Sequence, residues 1–250
     1  MGKRERLDLL LVKRQLVASR EDGRRRILAG EVLVNEQLVT KAGSLIDPGS
    51  RIGFKASSPY VSRGGLKLEK ALREFKLDVS GKTAIDVGAS TGGFTDCLLA
   101  HGAARVIAVD VGYGQLDWKL RNDPRVTVFE KTNIRYLAAQ RLPFVPDLAT
   151  VDASFISLKL VLSQVKTLIA PNGSVVALIK PQFEVGRGKV GKGGVVRSPE
   201  DHVRVVEEIQ QAARGYGYDV MGVTESPLLG PKGNREFLIR LRVNDTRLAN

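Results

Sequence analysis

One cysteine, one tryptophan and two histidines are all that this chain of 250 residues carries of those three types, and each scarcity removes a class of function. Cys97 cannot close an internal disulfide, so the fold must stand on its core, and a reducing, cytoplasmic setting is expected. With no base evident beside it, Cys97 reads as a packing residue rather than a nucleophile. His101 and His202 lie far apart without ligand-spaced neighbours, so both read as ordinary helix residues and no metal is expected. Trp118 also reads as core packing. No run of eighteen apolar residues occurs, and the stretch Leu9 to Val12 behind the basic start is too short for the apolar region of an export signal. Neither a membrane span nor secretion is expected.

Positive charge, by contrast, is plentiful: 39 Lys and Arg stand against 27 Asp and Glu, a net +12. It is uneven, since residues 1–67 hold 14 basic against 7 acidic side chains. A compact basic module in front of a nearly balanced remainder suggests a polyanionic partner, RNA or DNA, with an acidic membrane surface as the competitor.

The chain is long enough for one large and one small domain, and its 43% hydrophobic content supports a core without staples. The first part reads as two short helices, Arg6 to Gln15 and a second opened by a Ser19 N-cap with Asp22 three residues on and closed at Gly30. Short β segments follow at Val32 to Asn35, Leu38 to Thr40 and Arg51 to Phe54. Ala56 to Gly65 is small, polar and Pro/Gly-containing. The expected division is therefore a small α+β domain at 1–57, a linker at 58–65 and a second domain at 66–250.

Beyond the linker, β-like runs at Ala84 to Val87, Val106 to Val109, Val126 to Phe129, Leu148 to Val151 and Val175 to Ile179 alternate with helical stretches. That alternation argues for a parallel sheet covered on both faces. Two last runs, Tyr218 to Thr224 and Phe237 to Val243, are joined too closely for a crossover and must be antiparallel. The organising stretch is Thr83 to Asp96, TAIDVGASTGGFTD: a strand, a glycine turn and a helix start, where an open α/β sheet binds ligands. Its spacing departs from the dinucleotide fingerprint. Missing side chains at Gly88 and Gly92 would let a ligand approach backbone N–H groups, and Asp110, ending the next strand, is placed to bind ribose hydroxyls.

These glycines with Asp86 and Asp110 resemble the S-adenosylmethionine site of Rossmann-like methyltransferases, which have a seven-stranded, mostly parallel sheet. The front module, SREDGRRRILAGEVLVN and its surroundings, is similar to the small RNA-binding domain of ribosomal protein S-four. Over its whole length the chain resembles the TlyA family, hemolysin A-like proteins with an RrmJ/FtsJ-type ribose 2′-O-methyltransferase domain. The resemblance carries a Lys-Asp-Lys-Glu tetrad onto Lys67, Asp152, Lys180 and Glu236. It implies donor contacts at Asp86, Gly88, Ser90, Thr91, Gly92, Gly93, Phe94, Asp110, Asn133 and Asp152. Asn133 stands where many relatives have an acidic residue, and its carbonyl is the expected acceptor for the adenine amino group. RNA contacts are expected at Arg6, Arg20, Arg24, Arg25, Lys41 and Arg63, and at Lys189 in the glycine-rich stretch 186–194, which could close over phosphates.

The implied reaction is methyl transfer to a cytidine ribose hydroxyl in ribosomal RNA, by a monomer that meets free rRNA or ribosomal subunits. Lys180 is the expected base; it must be neutral to act, which cationic Lys67 and the sulfonium favour while Asp152 and Glu236 oppose it. Two other classes stay open at this level: a non-catalytic ribosome-assembly factor, and a membrane-lysing hemolysin, for which no amphipathic or spanning stretch speaks.

Overall fold

The computed structural model describes residues 4–28, 30–54, 59–186, 190–191 and 193–244. The chain divides into two compact units, Met1–Pro59 and Tyr60–Asn250.

In the smaller unit β1 (Glu5–Arg6) runs directly into α1 (Leu7–Lys13), followed by α2 (Arg20–Leu28) and the short strands β2 (Val32–Val34), β3 (Gln37–Leu38), β4 (Leu45–Ile46) and β5 (Ile52–Phe54). Ser19 caps α2 by accepting from the Asp22 amide at 3.1 Å. The β2–β3 hairpin turns on Asn35 and Glu36, both at positive φ, the backbone of a two-residue turn matched to strand twist. β2 pairs antiparallel with β3 and β5, and β1 with β4. Leu7, Leu11, Val17, Ile27, Val32 and Val34 fill the space between helices and strands.

The larger unit opens with α3 (Gly64–Glu74) and continues β6 (Thr83–Val87), α4 (Gly93–Ala100), β7 (Arg105–Val109), α5 (Trp118–Arg121), β8 (Val126–Phe129), β9 (Leu148–Val151), α6 (Leu158–Leu168), β10 (Ser174–Ile179), α7 (Pro199–Gly215), β11 (Tyr218–Glu225) and β12 (Phe237–Val243). The sheet order is β11-β12-β10-β9-β6-β7-β8. β12 is antiparallel to both neighbours and the other pairings are parallel. Central strands such as Leu148–Val151 are buried on both faces, which is why they read as continuous apolar runs. One face carries α3 and α4 over Leu68, Leu72, Leu98, Val106 and Val176; the other carries α6 and α7 over Val161, Val165, Val205, Ile85 and Ile239. Each such fully buried side chain is worth about 1.5–3 kcal/mol.

Two expectations need correction. Tyr60 to Gly65 is not linker but part of the larger unit: Tyr60 is buried in its core, its hydroxyl donates to Glu69 at 2.9 Å, and its ring lies so close to Gly65 that a Cβ there would sit 2.3 Å away. Trp118 is not a core residue; it is 77% exposed at the start of α5. His101 and His202 do lie on α4's end and on α7, each donating a ring N–H, to the carbonyls of Cys97 and Val196 respectively. Among the described residues no helix is long and apolar enough to cross a membrane.

Candidate active site

The carboxyl ends of β6, β7, β8 and β9 surround a cavity of about 1140 Å³, lined among others by Gly88, Ser90, Asp110, Asn133, Asp152 and Phe155. A second cavity of about 550 Å³ is lined by Arg63, Lys67, Phe94, Leu229 and Gly230. Gly88, Ser90 and Asp152 border both, so a group held in one can reach a group held in the other across that border. Gly88 has φ +82°, and a Cβ on it would stand 2.9 Å from the carbonyl oxygen of Asp152. Glycine is therefore required twice, by conformation and by the closeness of the β9 exit.

The expected tetrad assembles as two ion pairs. Lys67 Nζ lies 2.6 Å from Glu236 Oε2, and Lys180 Nζ lies 2.6 Å from Asp152 Oδ1. Lys180 also donates to Ser154 Oγ at 2.8 Å and to the Asp152 carbonyl at 3.3 Å, while Asp152 Oδ1, close as it is, makes no well-formed hydrogen bond among the described residues. Lys67 and Asp152 border the second cavity; Lys180 and Glu236 stand behind them, 7% and 1% exposed. Glu236 Oε1 has no hydrogen-bond partner among the described residues and is crowded by Gly230, where a Cβ would approach to 2.0 Å. Each charge has a counter-charge beside it, the condition under which four ionic groups can share a buried site.

The glycine turn works differently from the sequence expectation. The amides of Gly88 and Ala89 both donate to the Val109 carbonyl, that of Ser90 to Asp110 Oδ2 at 2.8 Å, and that of Gly92 to the Ala89 carbonyl. Those four N–H groups serve the turn, not a ligand. Gly92 and Gly93 are there for packing: a Cβ would meet Leu120 at 2.2 Å and Ser62 at 2.2 Å respectively. Thr91 and Phe94 border the second cavity rather than the first. Asp86 reaches neither cavity surface; it is fully buried beneath the turn and accepts from Thr95 at 2.7 Å and Thr150 at 2.9 Å. Burial raises its carboxyl to about 6, against which the two threonines act. Asn133 borders the first cavity, but its carbonyl already caps the next turn by accepting from the Arg135 amide, so an incoming amino group would have to share it.

Asp110 holds the turn through Ser90 and Gly112 and still borders the larger cavity. Asp110 and Asp152 place two carboxylates on the wall of the larger cavity and Gly88 adds no side chain to it, a lining that fits a cationic nucleoside. Contacts that sequence reading missed come from residues distant in the chain. Glu184, after β10, accepts from Ser157 Oγ and the Leu158 amide at 2.7 Å and so fixes the loop that follows Asp152. Asn234 donates to the Gly194 carbonyl and accepts from the Val196 amide, anchoring the end of the glycine-rich stretch; Lys189 lies outside the described residues. Ser154 and Asn234 each stand two residues from a tetrad member, Asp152 and Glu236, and only the structure shows their contacts.

In the smaller unit Arg6 and Arg20 both pair with the buried Asp8 at 3.0 Å, Arg6 foremost in holding that carboxyl down at about 2. Arg25 pairs with Asp22 at 2.5 Å. Arg24 and Lys41 are exposed with no ion-pair partner among the described residues, and Arg63 is exposed at the second cavity.

A family model described as FtsJ-like methyltransferase matches residues 60–243, and one described as S4 domain matches residues 5–52. The chain belongs to the FtsJ-like methyltransferase family. It is 43% identical over 249 residues to the 16S/23S rRNA (cytidine-2′-O)-methyltransferase TlyA of Mycobacterium tuberculosis, covering 99% of this chain and 93% of that one. It is 40% identical to hemolysin A of Brachyspira hyodysenteriae over 93% of this chain and 98% of the relative. A solved structure of a candidate hemolysin from Streptococcus thermophilus is 45% identical, with a TM-score of 0.77 over 98% of this chain and 90% of that one. The seven-stranded, mostly parallel sheet is the fold expected of this methyltransferase family, and the front module is the expected S-four-like domain.

Proposed function

We propose that this chain is an S-adenosylmethionine-dependent methyltransferase acting on a ribose 2′-hydroxyl, a cytidine one in ribosomal RNA. The observation that carries the proposal is the shared border of the two cavities at Gly88, Ser90 and Asp152, with lysine–carboxylate pairs behind it. When bound, the donor supplies an electrophilic methyl group on a sulfonium. Asp110 and Asn133 would hold its ribose and adenine ends, and the Gly88 turn would hold the middle.

A ribose hydroxyl is a weak nucleophile, so the chain must position it and take its proton. Arg63, Lys67 and Leu229 border the cavity proposed for that nucleotide. Lys180 takes the proton in this account. As an ammonium donating to Ser154 and the Asp152 carbonyl it has no lone pair, so it must first release a proton, and Asp152 then keeps it aimed. Lys67, held by Glu236, favours the developing alkoxide as a cationic donor. Arg6, Arg20, Arg24, Arg25 and Lys41 are proposed to bind phosphates of folded RNA, with Asp8 fixing the first two in place.

Mass-spectrometric mapping of ribose methylation in rRNA from cells with and without this protein tests the assignment. Loss of a 2′-O-methylcytidine in its absence is expected. Identical maps would leave the assembly-factor reading in its place.

A further inference from the structure

Val111, Phe155 and Leu160 stand exposed on the lining of the larger cavity, and Tyr113, Trp118 and Tyr136 stand exposed on the segments that follow β7 and β8, whose ends border it. The last three are aromatic rings that the proposed chemistry does not use. Tyr113, Trp118 and Tyr136 are 71%, 77% and 75% exposed, on the loops that follow β7 and β8. Large exposed rings on segments tied to one another mark an interaction surface.

The backbone under these rings is braced. The Lys131 amide donates to the Gly112 carbonyl and the Thr132 amide to the Asp110 carbonyl, which ties the two loops together. Glu130 accepts from the Gly114 amide at 2.7 Å and from Arg121. Asp117 caps α5 and its own amide is bound by the Thr91 carbonyl. Rings on such a base lose little freedom when something stacks on them.

Charge identifies the partner. Lys131 Nζ lies 4.5 Å from the centre of the Tyr113 ring and the Arg135 guanidinium 5.2 Å from that of Tyr136. Neither cation has a carboxylate partner among the described residues. Rings interleaved with uncompensated cations match alternating bases and phosphates, whereas an apolar protein partner would leave both cations buried and unpaired.

We propose that Tyr113, Trp118 and Tyr136, with Lys131 and Arg135, form a stacking platform for unpaired bases of the RNA substrate, outside the donor cavity and separate from the basic front module. The inference rests on the reading of RNA as substrate. The platform is tolerant of base identity, because every base offers a π-face.

The test uses the full-length protein and an unstructured RNA oligonucleotide. Trp118 is the sole tryptophan, so its fluorescence should be quenched saturably by that RNA and far less by an abasic strand of the same length. Trp118→Ala and Tyr113→Ala should each weaken RNA binding by about tenfold, the size of one lost base stack. They should raise KM for rRNA, leaving kcat and donor affinity within about twofold; Trp118→Phe should restore most of the loss. These side chains are exposed, and unchanged thermal melting would show that the variants fold. Unquenched fluorescence together with RNA affinities within twofold of wild type overturns the platform and leaves the surface to a protein partner. Ribose methylation by the wild type is scored in parallel. Methylation with unmoved RNA affinity sinks the platform alone; quenching without methylation sinks the enzymatic reading alone.

Discussion

Gly230→Ala is the smallest change that moves the buried carboxylate behind Lys67. The new methyl would start 2.0 Å from Glu236 Oε1 and 2.5 Å from its Cδ. To reach ordinary contact the carboxylate must retreat by about 1.4 Å, more than the 2.6 Å bond to Lys67 can stretch and survive. Gly230 is not at positive φ, so alanine brings no backbone strain and the effect is displacement alone. A misplacement near 1 Å costs about a hundredfold in rate, or about 2.7 kcal/mol of transition-state stabilisation. Overpacking should also lower stability by about 1–3 kcal/mol, which at about 2–4 °C per kcal/mol in a chain of this size is a fall in Tm of about 2–12 °C. Donor affinity should hold, because Gly230 borders the second cavity and not the first. Single-turnover transfer from methyl-tritiated donor to rRNA reads the rate, and calorimetry reads donor binding. Gly215→Ala is the control: nothing lies within 4 Å of that position in α7, so stability should rise by about 0.4–1 kcal/mol with unchanged turnover. Turnover of Gly230→Ala within threefold of wild type would refute the placement of Glu236 in the reaction.

Asp86→Asn should change how stability depends on pH. The folded carboxyl titrates at about 6, above its ordinary 3.8, so its contribution is fully present below about pH 4 and lost as pH rises through about 6, a swing of about 3 kcal/mol. Asparagine cannot ionise, so the gap in Tm should move in favour of the variant between pH 4 and 7; a gap constant with pH contradicts the buried-charge argument. On the RNA side, Arg24→Ala and Lys41→Ala should each flatten the salt dependence of RNA affinity by about one counterion without loss of Tm. Arg6→Ala should do both, because it strips a partner from buried Asp8, and circular dichroism melts separate the cases.

The sheet was legible in the sequence because each strand is a short apolar run flanked by polar residues or glycine; Val126–Phe129, Leu148–Val151 and Phe237–Val243 fall where the pattern puts them. β1 and β4 were not, since two-residue strands are shorter than any period. The four tetrad residues were named from motifs, but which lysine meets which carboxylate is a through-space fact that no spacing encodes. The same holds for Asp86: an acid in an apolar strand next to a glycine turn looks like a ligand contact, and only the crossing of Thr95 and Thr150 reveals a buried brace. Trp118 misled because hydropathy records what a side chain is made of, not whether a neighbour covers it.

Lys180→Ala gives the most direct test of the central claim, that the lysine behind Asp152 takes the proton of the hydroxyl while the donor sits over the Gly88 turn. Label transfer from methyl-tritiated S-adenosylmethionine to deproteinised rRNA, with donor affinity measured on the same preparations, should show wild-type transfer to a ribose oxygen. The variant should show transfer lowered by at least about a hundredfold with donor affinity within about threefold. Retained transfer in Lys180→Ala, or a wild-type chain that does not bind the donor, would contradict it.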